Sequence, residues 1–438
     1  MADLTVFLAR RVRTMEPSLP TAEAVAVRDG RIVEVGTLDT MRPWLDRYDH
    51  EIDDRFIDHV IVPGLIDPHL HPSMAAILLP MSFTTATEWA LPWERVSPVP
   101  NRVEFLERIE QLNQDLHPDE PLFVWGHHPI WHGDVDRAML NDISGTRPII
   151  VWHRGYHSFI VNDACYRWME VDLDAARRHP HVDVDRGAFY ETGLGFGYRY
   201  LNKHLLDSER FRTGLDRMRQ VIHAGGQTTI GDAAIGMYGL DQEWEHLVNV
   251  MEQPDTPFRM QLLPFAMGPG GSADSDQAEV DRVHALRERN THRLRFSDHV
   301  KMFADGGFFA ELFRLGFPGH LDGRRGEWMT PPERFEALAR AFWNAGLKIH
   351  VHCSGDQGVE LVLRTLEKLQ WERPRFDHRF TFEHFGVSTP QQVERIAALG
   401  AQVSVQVYYV HELSRAFADH TLGYERASQI SRAGSLER

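Results

Sequence analysis

The chain has 438 residues, of which 42% are apolar and 25% charged, an ordinary balance for a globular protein with a large core. Its net charge of −16 disfavours nucleic acid and anionic membrane as partners, and no run approaches the about 18 apolar residues that cross a bilayer. Two cysteines, Cys165 and Cys353, make no disulfide framework. Met1-Ala2-Asp3-Leu4 carries neither a basic region nor a signal-like stretch, so the expected compartment is the cytoplasm.

Residues 4–60 read as short strands over 4–8, 22–27 and 31–35, the last two joined at Asp29-Gly30, a strong hairpin signal. From residue 61 onward strands alternate with helical patterns, which implies parallel β/α units. The expected strands are 62–68, 228–232, 259–264, 299–303, 348–352, 379–384 and 401–407. Helices are expected over 210–224, 277–288, 332–345, 357–368 and 390–399. Residues 80–205 are too long for one crossover and hold two further strands, 122–125 and 148–152, and a helix at 102–116.

The residues able to carry chemistry stand at strand ends. An apolar run from Val60 to Ile66 leads into His69 and His71. Side chains two apart on a strand face the same way, so these imidazoles make half of a metal site. Val300-Lys301-Met302-Phe303-Ala304-Asp305-Gly306 places one lysine inside an apolar strand. His350 and His352, before Cys353-Ser354-Gly355-Asp356, form a second pair and compete for one ligand position. Phe380-Thr381-Phe382-Glu383-His384 ends a further strand on a histidine. With 25 histidines in the chain a lone one means little, and His179, His181, His246, His284 and His292 are given no role. Trp125, Trp131, Trp152 and Tyr156, with His127 and His128, either line a pocket for a flat apolar substrate or build core.

In this order the motifs resemble those of the metal-dependent amidohydrolase superfamily, in particular its YtcJ-like branch, which includes N-substituted formamide deformylases. The resemblance runs from about Leu4 to the end of the chain. It implies an α/β fold: a (β/α)8 TIM-type barrel over 61–438 with an insertion at about 80–205, and residues 1–60 as the N-terminal part of a composite β-sandwich. Only seven barrel strands are found. Residues 423–436 match the helix before the eighth, which in the family ends on the catalytic aspartate, so a chain truncated ahead of that strand is expected. The edges of 62–68 and 401–407 would then be unpaired, and Val6, Leu8, Val25 and Ile32 uncovered.

The resemblance also implies one or two divalent metals, Zn²⁺ foremost, with His69 and His71 on one and His352 and His384 on the other. Lys301, carboxylated in many members, would be the bridge and a catalytic residue; an unmodified ammonium could not ligate. The family's His-x-x-Gly-Asp ending selects His352 over His350. Asp356 is left between orienting His352 and capping the following helix, and Asp67 is a candidate support for His69 and His71. By the same match His157 is the catalytic candidate for holding a substrate carbonyl or developing oxyanion; Asn162, which the match also turns to the active site, is read instead as structural packing or a cap on the following helix. Trp125, Trp152, Tyr156 and Asp305, the last followed by two glycines that let backbone approach a ligand, are candidate substrate contacts. Glu191 is read as a surface loop carboxylate. The implied reaction is hydrolysis of a C–N bond in a small amide, N-formyl or cyclic amide substrate by metal-activated water. The alternatives are a catalytically inactive truncated metal-binding barrel and ester or carbamate hydrolysis; a homodimer is compatible with each.

Overall fold

The structure, a computed structural model, describes residues 3–266 and 275–437. The chain forms two compact units, one of Met1–Ile66 with Gly226–Thr228 and one of Asp67–Gly225 with Thr229–Arg438.

The smaller unit is built on one sheet. Leu4–Arg13 pairs antiparallel with Thr21–Arg28 and parallel with His50–Ile61, and Arg31–Gly36 completes the hairpin. Asp29 and Gly30 both take positive φ, 50° and 70°, as a two-residue turn matching strand twist requires. Leu4, Val6, Ala24, Ala26 and Met41 form its core. The expectation of uncovered apolar residues therefore fails at Val6 and Val25, which are buried, is met only in part at Leu8, which is half-buried, and holds at Ile32, which is 65% exposed. Val6 packs against Met41 of the helix Leu38–Leu45, which the sequence reading did not include.

Two four-stranded sheets carry the strand ends of interest. The first runs in the order Leu294–Phe296, Arg259–Pro264, Gln227–Ile235, Leu65–Leu70; the second His299–Phe303, Lys348–Cys353, Thr381–His384, Gln402–Val405. Every pair in the second sheet is parallel, and a single parallel bridge between Phe265 and Lys301 links the two sheets. Val300, Met302, Ile349, Val351, Phe380 and Phe382 pack against Leu338 and Phe342 of Pro332–Asn344 and Leu363 and Leu366 of Asp356–Glu372. Strand alternation then leaves Lys301, His350, His352 and Glu383 on the opposite, inner face.

Leu65–Leu70 and Gln402–Val405 stand last in their sheets, so among the described residues this α/β fold shows no closed barrel. On the apolar run that leads into His69, Val62, Leu65 and Ile66 are 57%, 56% and 70% exposed, the last two on a strand at the sheet edge. The single helix expected at 423–436 is two short ones, Tyr424–Ala427 and Ala433–Glu437, separated by Ser431 and Arg432 at positive φ.

The long segment forms a six-stranded sheet in which Leu122–His127 and Ile149–His153, both wholly buried, pair parallel. Two strands not expected from the sequence, Ser158–Val161 and Ala188–Tyr190, extend it antiparallel. Asn162 caps Asp163–Met169, as expected, and also donates to the carbonyls of Ser144 and Arg147. No described helix is long and apolar enough to cross a membrane.

Candidate metal centre and its cavity

Four imidazoles from three strand ends come together inside the larger unit. Ring centroids of His69 and His71 are 5.1 Å apart, those of His69 and His384 4.6 Å, and those of His384 and His352 4.4 Å. Burial, and then the charge of nearby groups including Lys301, lowers the pKa of all four, and well below the ordinary value for His71, His352 and His384. Neutral imidazole is the form that ligates a metal.

Lys301 is fully buried on the same inner face, its Nζ 5.3 Å from the Phe303 ring centroid and without a hydrogen-bond partner. Burial brings its pKa down to about 8. Among the described residues no three His, Cys, Asp or Glu side chains meet the spacing of a metal-ligand group; the imidazoles stand ring against ring.

Glu383 organises this cluster, and the sequence reading had passed over it. Its Oε2 accepts from His69 Nδ1 at 2.6 Å and its Oε1 from His350 Nδ1 at 2.7 Å. His299 Nδ1 continues the chain, 2.8 Å from His350 Nε2. Since Nδ1 of His69 is committed to the carboxylate, Nε2 is the free nitrogen, and it is buried with no partner. An orphaned acceptor on a tautomer fixed from behind is what a ligating imidazole presents before its ion arrives. His69, His71, His352 and His384 thus have the donor chemistry a divalent cation would take, and Lys301 would join them only once carboxylated.

A cavity of about 570 Å³ opens beside the cluster, lined by His71, His352 and His384, by His157 and Glu191, and by Tyr156, Tyr198 and several phenylalanines. His157 Nδ1 donates to Glu191 Oε2 at 3.0 Å. Burial alone would lower the His157 pKa, but the charge and hydrogen bond of Glu191 outweigh it and raise the value above the usual one.

A family model described as the amidohydrolase family matches residues 58–438. The chain belongs to the amidohydrolase family. A shorter match, over residues 24–43, is to a bacterial imidazolonepropionase-like composite domain. Among similar proteins, N-substituted formamide deformylase of Arthrobacter pascens is 24% identical over 91% of this chain and 72% of its own length. Protein LONG AFTER FAR-RED 3 of Arabidopsis thaliana is 22% identical over 98% of this chain and 72% of its own. An uncharacterised metal-dependent hydrolase from Pyrococcus horikoshii OT3 shares the fold, with a TM-score of 0.71 and 17% identity over 99% of this chain and 80% of its own.

In this amidohydrolase several residues stand elsewhere than the sequence suggested. Glu191 is no surface carboxylate: its side chain is fully buried, at a backbone φ of 45°, between His157 and the Gly307 N–H. A Cβ on Gly307 would lie 2.3 Å from the His157 ring, so the glycine lets this loop close on the imidazole rather than on a ligand. Asp305 does not line the cavity. Its buried carboxylate accepts the N–H groups of Ser354, Gly355 and Arg314, each at 2.8 Å, and burial pushes its pKa up to about 7. Asp305 therefore anchors the turn after His352.

Of the aromatic cluster only Tyr156 lines the cavity. Trp125 packs edge-on to Phe83 and Trp89, and Trp152 lies between Tyr156 and Phe159, so both serve the insertion's core. His127 and His128 are buried against Gly133 and Ile130. Asp356 neither touches His352 nor caps its helix, since it accepts from Gly316 N–H and the cap position is Gly355. Asp67 supports His69 through the backbone, accepting its N–H at 3.1 Å. His179, given no role above, lines the cavity.

Proposed function

We propose that the chain is a metal-dependent hydrolase of a C–N bond in an amide, N-formyl or cyclic amide substrate, its two parallel sheets being parts of a TIM-type barrel and its smaller unit part of a composite β-sandwich. The observation that carries the reading is the buried, unpartnered Nε2 of His69, whose other nitrogen is tied to Glu383. His69, His71, His352 and His384 would hold one or two ions, Zn²⁺ foremost, with a carboxylated Lys301 as the bridge. A cation held there would supply the Lewis acidity that makes water nucleophilic near neutral pH. Glu383 keeps His69 in one tautomer and orientation. His157, whose pKa Glu191 raises, would in its protonated form donate to the carbonyl oxygen and to the charge that develops on it. The apolar walls of the cavity, among them Phe303, Phe308 and Phe309, hold the substrate body and exclude bulk water.

The test is elemental analysis of protein purified without added metal, paired with a turnover screen of N-formyl and N-acyl amines before and after chelation. Near-stoichiometric metal with chelator-sensitive amide cleavage supports the reading. Bound metal without turnover would make the chain a binding protein, and cleavage of esters alone would move it to the neighbouring reaction class.

A further inference from the structure

Behind the metal centre the inner face of the second sheet carries polar side chains where parallel sheets of this kind ordinarily pack branched apolar ones. His299 and Lys301 come from one strand, His350 and His352 from the next, and Glu383 from the third. Four groups form one hydrogen-bonded chain: His69 Nδ1 to Glu383 Oε2 at 2.6 Å, Glu383 Oε1 to His350 Nδ1 at 2.7 Å, and His350 Nε2 to His299 Nδ1 at 2.8 Å. Their side chains are only 3–21% exposed, so bulk water competes little for these bonds.

Hydrogen-bond chemistry gives the chain a direction. An ionised carboxylate only accepts, so both imidazoles that meet Glu383 donate to it through Nδ1. Neutral His350 then has its lone pair on Nε2, and the bond at that nitrogen comes from Nδ1–H of His299. Burial, and then the charge of His350, brings the His299 pKa down to about 4, so His299 has one proton to place near neutral pH. Nothing draws that proton to its other nitrogen, since the Asp298 carboxylate stands 3.7 Å from Nε2, beyond hydrogen-bond reach. Without the His299 donor, His350 is free to carry its proton on Nε2, which leaves Oε1 of Glu383 unheld.

We propose, on the reading of His69 as a metal ligand, that His299 is a positioning residue for the metal centre. Through His350 it holds Glu383, and through Glu383 it fixes the free Nε2 of His69, three hydrogen bonds away. His299 opens its strand, whereas His352 and His384 stand at the far ends of theirs, so the control reaches the ions from the opposite end of the sheet.

The experiment combines imidazole nitrogen-15 NMR of the metal-free protein with Zn²⁺ competition against a chromophoric chelator. In the wild type His69, His350 and His299 are expected as Nδ1–H tautomers. In His299→Leu, His350 should populate Nε2–H, and Zn²⁺ affinity should fall about tenfold, the low end of what loss of a partner behind a ligating imidazole costs. In His299→Asn, whose side-chain N–H stands nearly where Nδ1–H stood, the tautomer and the affinity should both return. A wild-type His350 protonated on Nε2 overturns the proposal, and that measurement needs no variant. So does a His299→Leu protein that binds Zn²⁺ as tightly as the wild type, whatever its Tm, because the chain would then be a structural network. Wild-type protein that takes up no Zn²⁺ overturns the metal reading as well, whereas tight wild-type binding with an unaffected variant overturns the positioning role alone.

Discussion

The carboxylate of Glu383 lies 2.6 Å from Nδ1 of His69, 314 residues earlier in the chain. The contact fixes which nitrogen of His69 is free, so the first histidine pair depends on the strand that ends at His384. Replacing Glu383 with Gln keeps the shape and removes the charge. Metal affinity should fall about 10–100-fold, as on loss of other partners behind ligating histidines. Competition against a chromophoric chelator measures it, and an unchanged affinity would show that Glu383 serves packing alone.

His69→Ala and His71→Ala should each remove bound metal and leave far-UV circular dichroism nearly unchanged. Both rings sit at the end of Leu65–Leu70, whereas the large apolar clusters lie between sheets and helices. Loss of the helical signal in either variant would mean that the metal is structural.

The His157–Glu191 pair makes stability depend on pH with a definite sign. Because the folded pKa of His157 is raised, the pair's contribution is complete below the unfolded value of about 6.5. It is lost as pH rises through the folded pKa. In Glu191→Gln the carboxylate charge is gone and burial is opposed chiefly by Asp305, so His157 should titrate lower and the loss of stability with rising pH should shrink or change sign. Imidazole NMR titration of the two proteins checks both statements; an identical His157 pKa would remove the basis for a protonated donor in the mechanism.

What was legible in the sequence follows the two-residue period of a strand. It places His69 beside His71, whereas Lys301 and His352 joined them through the family resemblance and not through the period. The same rule concealed Glu383, since it sends neighbours to opposite faces and His384 was the attractive choice. In the structure His384 takes φ 72° and Phe385 φ 50°, which turns the chain at the strand end and lets both Glu383 and His384 reach the cluster. Glu191 was missed for a similar reason: its φ of 45° turns a carboxylate inward from a stretch that reads as loop. Tyr198 carried no signal, because a helical tyrosine looks the same whether it lines a cavity or a core. The tryptophans misled in the opposite direction, being large enough to suggest a pocket while packing between strands and helices.

Arg154 and Glu412 give a final measurable consequence for the cavity. Their side chains are only 3% and 7% exposed and meet at 2.8 Å, and Tyr408 bridges them, accepting from Arg154 at 3.0 Å and donating to Glu412 at 2.8 Å. Arg154 begins the loop that carries Tyr156 and His157, so the helix Tyr408–His420 holds that loop through this pair. Glu412→Ala would leave the guanidinium buried and unpaired, at a cost of about 3–5 kcal/mol. Arg154→Met/Glu412→Ala should recover most of that loss, because two apolar replacements leave no uncompensated charge. Urea unfolding of the single and double variants tests the pair, and equal destabilisation in both would mean that packing, not charge, holds the loop.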